Sequence, residues 1–215
     1  MSDLAYNLVW AVGVHAFWVS SRPTILHRER LKTPGAYILA PNHLSPFDVS
    51  CLIAISPRNL DWVSIVEVFR NPLVALLYGS VNAFPLDRSK PDSPTVRIIL
   101  DRLERGRAVA MFPEGGIRTP ENSVLNGGNF KPGVARIAQL ADAPVIPCAI
   151  VGTDAYYKAK SWLPVRGVRY GVNFGAPMRV RTDLEKHEAQ RLFLDEMRQA
   201  YRNLYAELLD RMKRP

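Results

Sequence analysis

The stretch Pro41-Asn42-His43-Leu44-Ser45-Pro46-Phe47-Asp48 joins a short apolar run to a longer one. Residues 36–40 precede it, follow a Pro-Gly breaker and predict a buried strand. Residues 47–55 are enough for about two helical turns. Ser45 is a preferred N-cap residue and the proline after it suits the first helical position, so Asp48 falls at the third position of the helix.

This arrangement predicts a contact between His43 and Asp48. In a capping box, the side chain at the third helical position folds back toward the residues before the helix. We therefore expect the Asp48 carboxylate within hydrogen-bonding distance of the His43 ring. A carboxylate on one ring nitrogen fixes the tautomer and leaves the other nitrogen free as a general base. The alternative is a loop histidine next to an ordinary acid at a helix start.

The rest of the chain alternates between strand-like and helix-like segments. Strands are predicted at residues 61–66, 81–86, 108–112, 144–151 and 168–174, and helices at residues 72–78, 92–105, 133–140 and from Thr182 onward. This alternation predicts one α/β domain over residues 31–215, with a mixed, mainly parallel central sheet flanked by helices.

The first 30 residues have a different composition and predict a membrane-anchoring helix followed by a basic segment. Residues 4–19 are almost wholly apolar and rich in aromatic side chains, but they are fewer than the roughly 20 needed to span a bilayer. Basic residues follow directly, namely Arg22, Arg28, Arg30 and Lys32. An apolar helix next to a basic cluster is typical of a shallow interfacial anchor, whereas the alternative is a first helix of the core. The net charge of +8 also favours an anionic partner.

Two further polar clusters follow predicted strands. Arg88 comes after residues 81–86, and an arginine there suits a bidentate contact with phosphate. Phe112-Pro113-Glu114-Gly115-Gly116-Ile117-Arg118 comes after the next predicted strand. Its glycines permit close backbone approach to a ligand, and Glu114 and Arg118 offer an acceptor and a cation. Each cluster alone also fits a solvated turn, but ligands of open α/β sheets collect at such strand ends.

Several other site types find no support in the sequence. It contains no Gly-x-Ser-x-Gly elbow, no phosphate loop and no dinucleotide fingerprint. Cys51 and Cys148 lie in apolar runs without metal-ligand spacing, so we expect two reduced core residues and no metal site. A nucleic-acid-binding motif is also absent, and we expect no nucleic-acid partner.

The chain resembles the glycerolipid acyltransferase family over residues 36–152. Four motifs occur in the family's order: Asn42, His43 and Asp48 in the first, Phe84 and Arg88 in the second, Phe112-Pro113-Glu114-Gly115 in the third, and Val145-Ile146-Pro147-Cys148 in the fourth. One departure is that Gly116-Ile117-Arg118-Thr119 follows the third motif, where the family commonly has Thr-Arg-Ser.

The resemblance implies transfer of a fatty acyl group from acyl-CoA or acyl carrier protein to a hydroxyl of lysophosphatidate or a related acceptor, without a cofactor. His43 would act as general base and Asp48 would orient it. Arg88, Glu114, Gly115, Gly116 and Arg118 would bind substrate. The expected location is the cytoplasmic face of the cell membrane, peripheral or shallowly inserted, on an anionic surface. Two competing hypotheses are a lipid hydrolase that uses His43 to activate water and a basic nucleic-acid-binding domain.

Overall fold

A seven-stranded sheet runs through the part of the protein that the computed structural model describes, residues 3–65, 70, 79–86 and 94–213. The strands are β1 (Thr24–Leu26), β2 (Tyr37–Pro41), β3 (Leu60–Ile65), β4 (Phe84–Leu86), β5 (Ala108–Ala110), β6 (Val145–Val151) and β7 (Gly171–Phe174). Their order is β1-β7-β6-β2-β5-β3-β4. Strands β6 and β7 pair antiparallel and the other neighbours pair parallel, which confirms the predicted mixed, mainly parallel α/β sheet.

Five helices cover the two faces of this sheet in the described ranges. They are α1 (Asp3–Ser20), α2 (Phe47–Ile55), α3 (Pro94–Glu104), α4 (Gly133–Leu140) and α5 (Lys186–Lys213). The helix predicted at residues 72–78 lies outside the described residues. Helix α5 begins at Lys186, later than predicted, because the Glu185 carboxylate accepts hydrogen bonds from the His187 and Glu188 amides and so caps its first turn.

The central strands are buried on both faces, which explains why they read as continuous apolar runs. In β2, Ile38 and Ala40 point into one core, which α3, α4 and α5 complete. Tyr37 and Leu39 point into the other core, which α1 and α2 complete. Because successive side chains alternate across a strand, one five-residue strand contributes to both cores.

The N-terminal segment packs on the domain through α1 and joins the sheet through β1. Tyr6 and Phe17 of α1 are buried in the second core, and the Tyr6 hydroxyl accepts a hydrogen bond from the Leu60 amide at 3.2 Å. Strand β1 pairs with β7 although it lies within residues 1–30. The strand was not predicted, because three residues are too few to show periodicity.

The structure of α1 leaves part of its aromatic surface uncovered. Trp10 and Trp18 are 37% and 50% exposed. Within the described ranges, no helix has the length and apolar character needed to cross a bilayer.

Candidate active site

The His43 loop, residues 42–46, leaves the sheet at a point that the Asn42 side chain holds in place. Its side-chain amide donates to the Ile150 carbonyl at 2.9 Å, and its amide oxygen accepts from the Ile150 N–H at 2.7 Å. The fully buried side chain thus replaces a peptide group and extends the pairing of β2 with β6 beyond Pro41. His43 therefore follows directly from a rigid strand end.

The predicted contact between His43 and Asp48 is confirmed. His43 Nδ1 lies 2.9 Å from Asp48 Oδ2, and the Leu44 and Ser45 amides donate to the same oxygen at 2.9 Å each. The helix itself begins at Phe47, one residue later than predicted, with the Phe47 amide donating to Ser45 Oγ at 3.2 Å. A carboxylate can only accept a hydrogen bond, so Nδ1 of His43 carries the proton in this contact. In the neutral imidazole, Nε2 then carries the free lone pair.

Burial of Asp48 makes this arrangement rigid. The carboxylate is fully buried, and its Oδ1 accepts a hydrogen bond from the Thr153 hydroxyl. A buried carboxylate without such partners would be strongly destabilising. Thr153 follows β6 and lies 105 residues from Asp48, and no local sequence signal indicated its role.

The ring of Phe112 covers one face of His43. The two ring centroids are 3.7 Å apart at an interplanar angle of 12°. Phe112 in turn lies against buried Trp62, with 5.6 Å between centroids. Hydrogen bonding and stacking together fix the imidazole plane, and the His43 side chain remains 13% exposed.

Glu114 is buried behind the His43 loop and accepts hydrogen bonds from it and from a second segment. Its Oε2 accepts from the His43 amide at 2.6 Å. Its Oε1 accepts from Ser123 Oγ and the Val124 amide, both at 2.7 Å. The predicted role of Glu114 in binding substrate hydroxyls gains no support here, because the side chain is fully buried and both oxygens already accept protein hydrogen bonds.

The turn after Glu114 brings Arg118 beside the His43 loop. The φ of Gly115 is +72°, a value that favours glycine, and its amide donates to the Phe112 carbonyl at 3.0 Å. That amide is therefore already paired within the turn. The Arg118 amide donates to the His43 carbonyl at 2.8 Å, and its guanidinium donates to the Glu114 carbonyl at 2.7 Å.

Arg118 also lines an open, mainly polar cavity of about 560 Å³. Its lining residues are Ile117, Arg118, Thr119, Asn122, Gly128, Asn129, Phe130 and Lys131. Lys131 is exposed at this cavity, and its amide donates to the Pro113 carbonyl at 2.7 Å. Lys131 was not predicted as a site residue, because a single lysine in a loop carries no specific signal.

The cysteines near the site are not activated nucleophiles. Cys51 and Cys148 are both fully buried. Burial raises the pKa of both thiols, and the nearby negative charge of Asp48 raises it further. The neutral thiol is the unreactive form, so burial disfavours a covalent step on either residue.

These contacts do not test two of the sequence predictions, the role of Arg88 in substrate binding and the expectation of no metal site. Arg88 lies outside the described residues. Among the side chains that the structure describes, no three His, Cys, Asp or Glu residues come together as a metal ion would require.

Comparison with known proteins identifies the family. A model of the family described as Acyltransferase matches residues 22–151, which is more than half of the chain. The chain belongs to the Acyltransferase family. The resemblance predicted from the four motifs is thereby confirmed, and the His43 loop, the Glu114 turn and β6 all lie within the matched region.

Curated members of the Acyltransferase family agree with this assignment. The chain is similar to the 1-acyl-sn-glycerol-3-phosphate acyltransferase of Bacillus subtilis, with 30% identity over 61% of this chain and 63% of the relative. It is also similar to the enzyme of that name from Streptococcus pneumoniae, with 25% identity over 86% of this chain and 64% of the relative. The matched part therefore spans less than two thirds of the length of these relatives.

A solved structure shares the fold. The 1-acyl-sn-glycerophosphate (LPA) acyltransferase PlsC from Thermotoga maritima matches with a TM-score of 0.70 and 17% identity, over 94% of this chain and 80% of that chain.

Proposed function

We propose that the protein transfers a fatty acyl group from a thioester donor, acyl-CoA or acyl carrier protein, to a hydroxyl of lysophosphatidate or a related glycerol-phosphate or lysophospholipid acceptor. The observation that carries this proposal is the 2.9 Å contact between His43 Nδ1 and buried Asp48. It leaves Nε2 as a base at the end of β2. The names of the similar proteins support the substrate class.

In the proposed mechanism, the acceptor oxygen attacks the thioester carbonyl carbon while Nε2 of His43 takes the hydroxyl proton. Asp48 stabilises the imidazolium that forms. The tetrahedral intermediate then expels the thiolate, which receives the proton from His43. The products are the new ester and a free thiol. The thioester itself supplies a good leaving group, so a covalent enzyme intermediate is not required.

The negatively charged carbonyl oxygen needs a hydrogen-bond donor. Gly115 and Gly116 were both predicted to bind substrate, but the Gly115 amide donates to the Phe112 carbonyl within its own turn. The Gly116 amide makes no hydrogen bond to another described residue, and Gly116 is partly exposed. We assign it the contact with the oxyanion.

The acceptor phosphate is proposed to bind in the cavity that Arg118 and Lys131 line. Two cations beside a polar cavity match a dianionic group, and an arginine adds bidentate geometry. Arg88 remains proposed as a further phosphate ligand from the second motif. Glu114 contributes indirectly, by holding the His43 amide and the segment that leads to this cavity.

Attachment to the membrane through the N-terminal segment is also a proposal. Exposed Trp10 and Trp18 supply apolar surface on α1. Of the basic residues after it, Arg28 and Arg30 donate to the carbonyls of Ile55 and Phe174 and so also hold the segment to the domain. The location that follows is the cytoplasmic face of the cell membrane, with α1 lying in the interface.

The central experiment is an assay of the purified chain with labelled acyl-CoA and acylated carrier protein against lysophosphatidate, glycerol 3-phosphate and lysophospholipids, with products identified by mass. We expect a new ester with at least one acceptor and loss of nearly all product in His43→Ala. Release of free fatty acid regardless of acceptor would indicate the lipid hydrolase instead.

A second experiment tests the α1 anchor. Deleting residues 1–31 would remove buried Tyr6 and strand β1, so it would disturb the fold. The sharper change is Trp10→Ala with Trp18→Ala, which we expect to lower binding to anionic vesicles about tenfold. In a separate measurement, high salt should weaken vesicle binding of the unaltered chain, since salt screens the basic residues. Equal binding of the two proteins would contradict an α1 anchor.

A further inference from the structure

A second apolar surface lies far along the chain from α1, in the two short 3-10 turns at Thr153–Tyr157 and Ala159–Trp162 and the loop after them. Four large side chains are exposed there within nine residues. Tyr157, Trp162, Leu163 and Val165 are 63%, 42%, 54% and 66% exposed. Scattered apolar residues are normal on a surface, but a contiguous group of this kind marks an interaction site.

The same segment is positively charged. Lys158 and Lys160 are exposed between Tyr157 and Trp162, and exposed Arg166 directly follows Val165. Asp154 in the first turn is exposed, whereas no acidic residue occurs in residues 155–182, so residues 157–166 contain no negative charge. The surface formed by residues 157–166 therefore combines apolar and aromatic tips with cations, which matches the boundary of an anionic bilayer.

This surface is continuous with the end of α1. The Trp162 ring contacts Phe17 at 5.6 Å between centroids, and the Arg166 amide donates to the Val19 carbonyl at 3.0 Å. Trp18 and Val19, at the end of α1, are 50% and 45% exposed. The exposed apolar side chains of both segments thus belong to one region of the molecule.

The surface also borders the catalytic pair. The Phe47 ring contacts the rings of both Tyr157 and Trp162, at 5.4 Å and 5.8 Å. Phe47 directly precedes Asp48, and Thr153 at the start of the same segment donates to Asp48. A lipid at this surface would therefore lie next to the helix that carries the base-orienting carboxylate.

We propose that the 157–166 surface is a membrane-docking surface that inserts its four apolar side chains into the headgroup boundary of an anionic bilayer, with its lysines and Arg166 at the lipid phosphates. This proposal rests on the proposed function, because docking would present the active site to an acceptor that resides in the membrane. An acidic carrier protein is the alternative occupant, because it would bind the same cations. The aromatic and aliphatic tips, and their continuity with α1, favour the lipid surface.

The test compares two leucines of equal exposure in the full-length chain. Leu163 is 54% exposed in this surface, and Leu140 is 52% exposed at the end of α4. Co-sedimentation with vesicles of phosphatidylcholine and phosphatidylglycerol is measured for Leu163→Glu and Leu140→Glu. We expect Leu163→Glu to lower the partition coefficient about tenfold, because it removes an inserted side chain and adds repulsion from the lipid. Leu140→Glu makes the same charge change and should stay within about twofold of the unaltered chain.

Equal sedimentation of both variants and the unaltered chain would overturn the proposal. So would a Leu163→Glu variant that still binds vesicles but loses transfer from acylated carrier protein and keeps transfer from acyl-CoA, since the surface would then serve the carrier. Val165→Glu provides an independent variant should Leu163→Glu prove unstable. The measurement of vesicle binding does not require the protein to catalyse a reaction. Failure of the proposed function would instead appear as absence of transfer by the unaltered chain.

Discussion

At the residue scale, Asp48 organises the candidate site. Its two oxygens accept hydrogen bonds from the His43 ring, two amides of the His43 loop and the hydroxyl of Thr153. The carboxylate thus orients the His43 ring, the proposed base, and also shapes the loop that carries it. Removal of the Asp48 charge and removal of one hydrogen-bond donor to Asp48 should therefore lower kcat by different amounts.

Asp48→Asn should lower kcat about a thousandfold or more, because an amide does not stabilise the imidazolium and favours the wrong tautomer. Thr153→Val should lower kcat about tenfold, because one hydrogen bond to a charged group is lost in the interior. Thr153→Ser keeps the hydroxyl and should restore most of the activity. The measurement is kcat at saturating donor and acceptor, with circular dichroism as a check of folding. Unchanged turnover in Thr153→Val would show that its contact with Asp48 does not position the base.

The proposed phosphate site makes a second prediction about single residues. Lys131→Gln and Arg118→Gln should each raise KM for a phosphorylated acceptor about tenfold, with KM for acyl-CoA little changed. Arg88→Ala should do the same if the second motif contacts phosphate. Lys186→Gln, an exposed lysine at the start of α5, is the matched control. A rise in KM for the donor alone would place these cations at the thioester carrier instead.

At the scale of elements, a buried carboxylate holds together the ends of the strands away from the His43 loop. Asp61, near the start of β3, is fully buried and accepts two hydrogen bonds from Arg107, at 2.5 and 2.6 Å. Arg102 of α3 contacts the same carboxylate at 3.2 Å. The cluster ties β3, the start of β5 and α3 together, while the His43 loop extends from the other end of β2.

Asp61→Asn should therefore reduce stability without altering the chemistry. The change removes the charge that pairs with two partly buried arginines and weakens their hydrogen bonds, which costs about 1.5–3 kcal/mol in free energy of unfolding. Asp101→Asn breaks an exposed pair with Arg105 and should cost less than about 1 kcal/mol. Urea unfolding of both variants, with kcat measured at a temperature where each is folded, separates the two effects. A stability loss for Asp61→Asn no larger than for Asp101→Asn would show that the cluster is not a stabilising unit.

At the scale of the whole molecule, two cores share one sheet, and the N-terminal segment belongs to one of them. Tyr6 of α1 and Tyr37 of β2 are both buried there. Burial raises the pKa of each phenol to about 12. In the unfolded chain both titrate near the ordinary value of about 10.

These raised pKa values predict a loss of stability at alkaline pH. Below about pH 10 both phenols are neutral whether folded or unfolded, and their full contribution is present. Between about pH 10 and 12 the unfolded chain loses the protons first, so stability falls by about 2–3 kcal/mol per tyrosine. Tyr37→Phe has no proton to lose at this position, so its stability should fall less across this window. The measurement is denaturant unfolding of both proteins through the window, and parallel curves would contradict the assignment.

The sequence alone determined the interactions that span a few residues and the pattern of elements. The His43–Asp48 contact bridges five residues and follows from a tight loop that enters a helix. The α/β class followed from alternating apolar segments, and the family followed from four motifs in order. Such features are decided by backbone geometry over one or two turns, so they can be read from the sequence without knowing where the chain goes next.

Only the tertiary structure decided which groups meet across the chain. Glu114 has the same carboxylate whether it faces a ligand or the interior, and its contact with the His43 amide spans 71 residues. Thr153 reaches Asp48 only because β6 lies beside β2. Strand β1 exists because β7 offers it an edge, since three residues have no periodicity of their own. The topology of the sheet determines these partners, because it brings together residues whose separation along the chain leaves no local pattern.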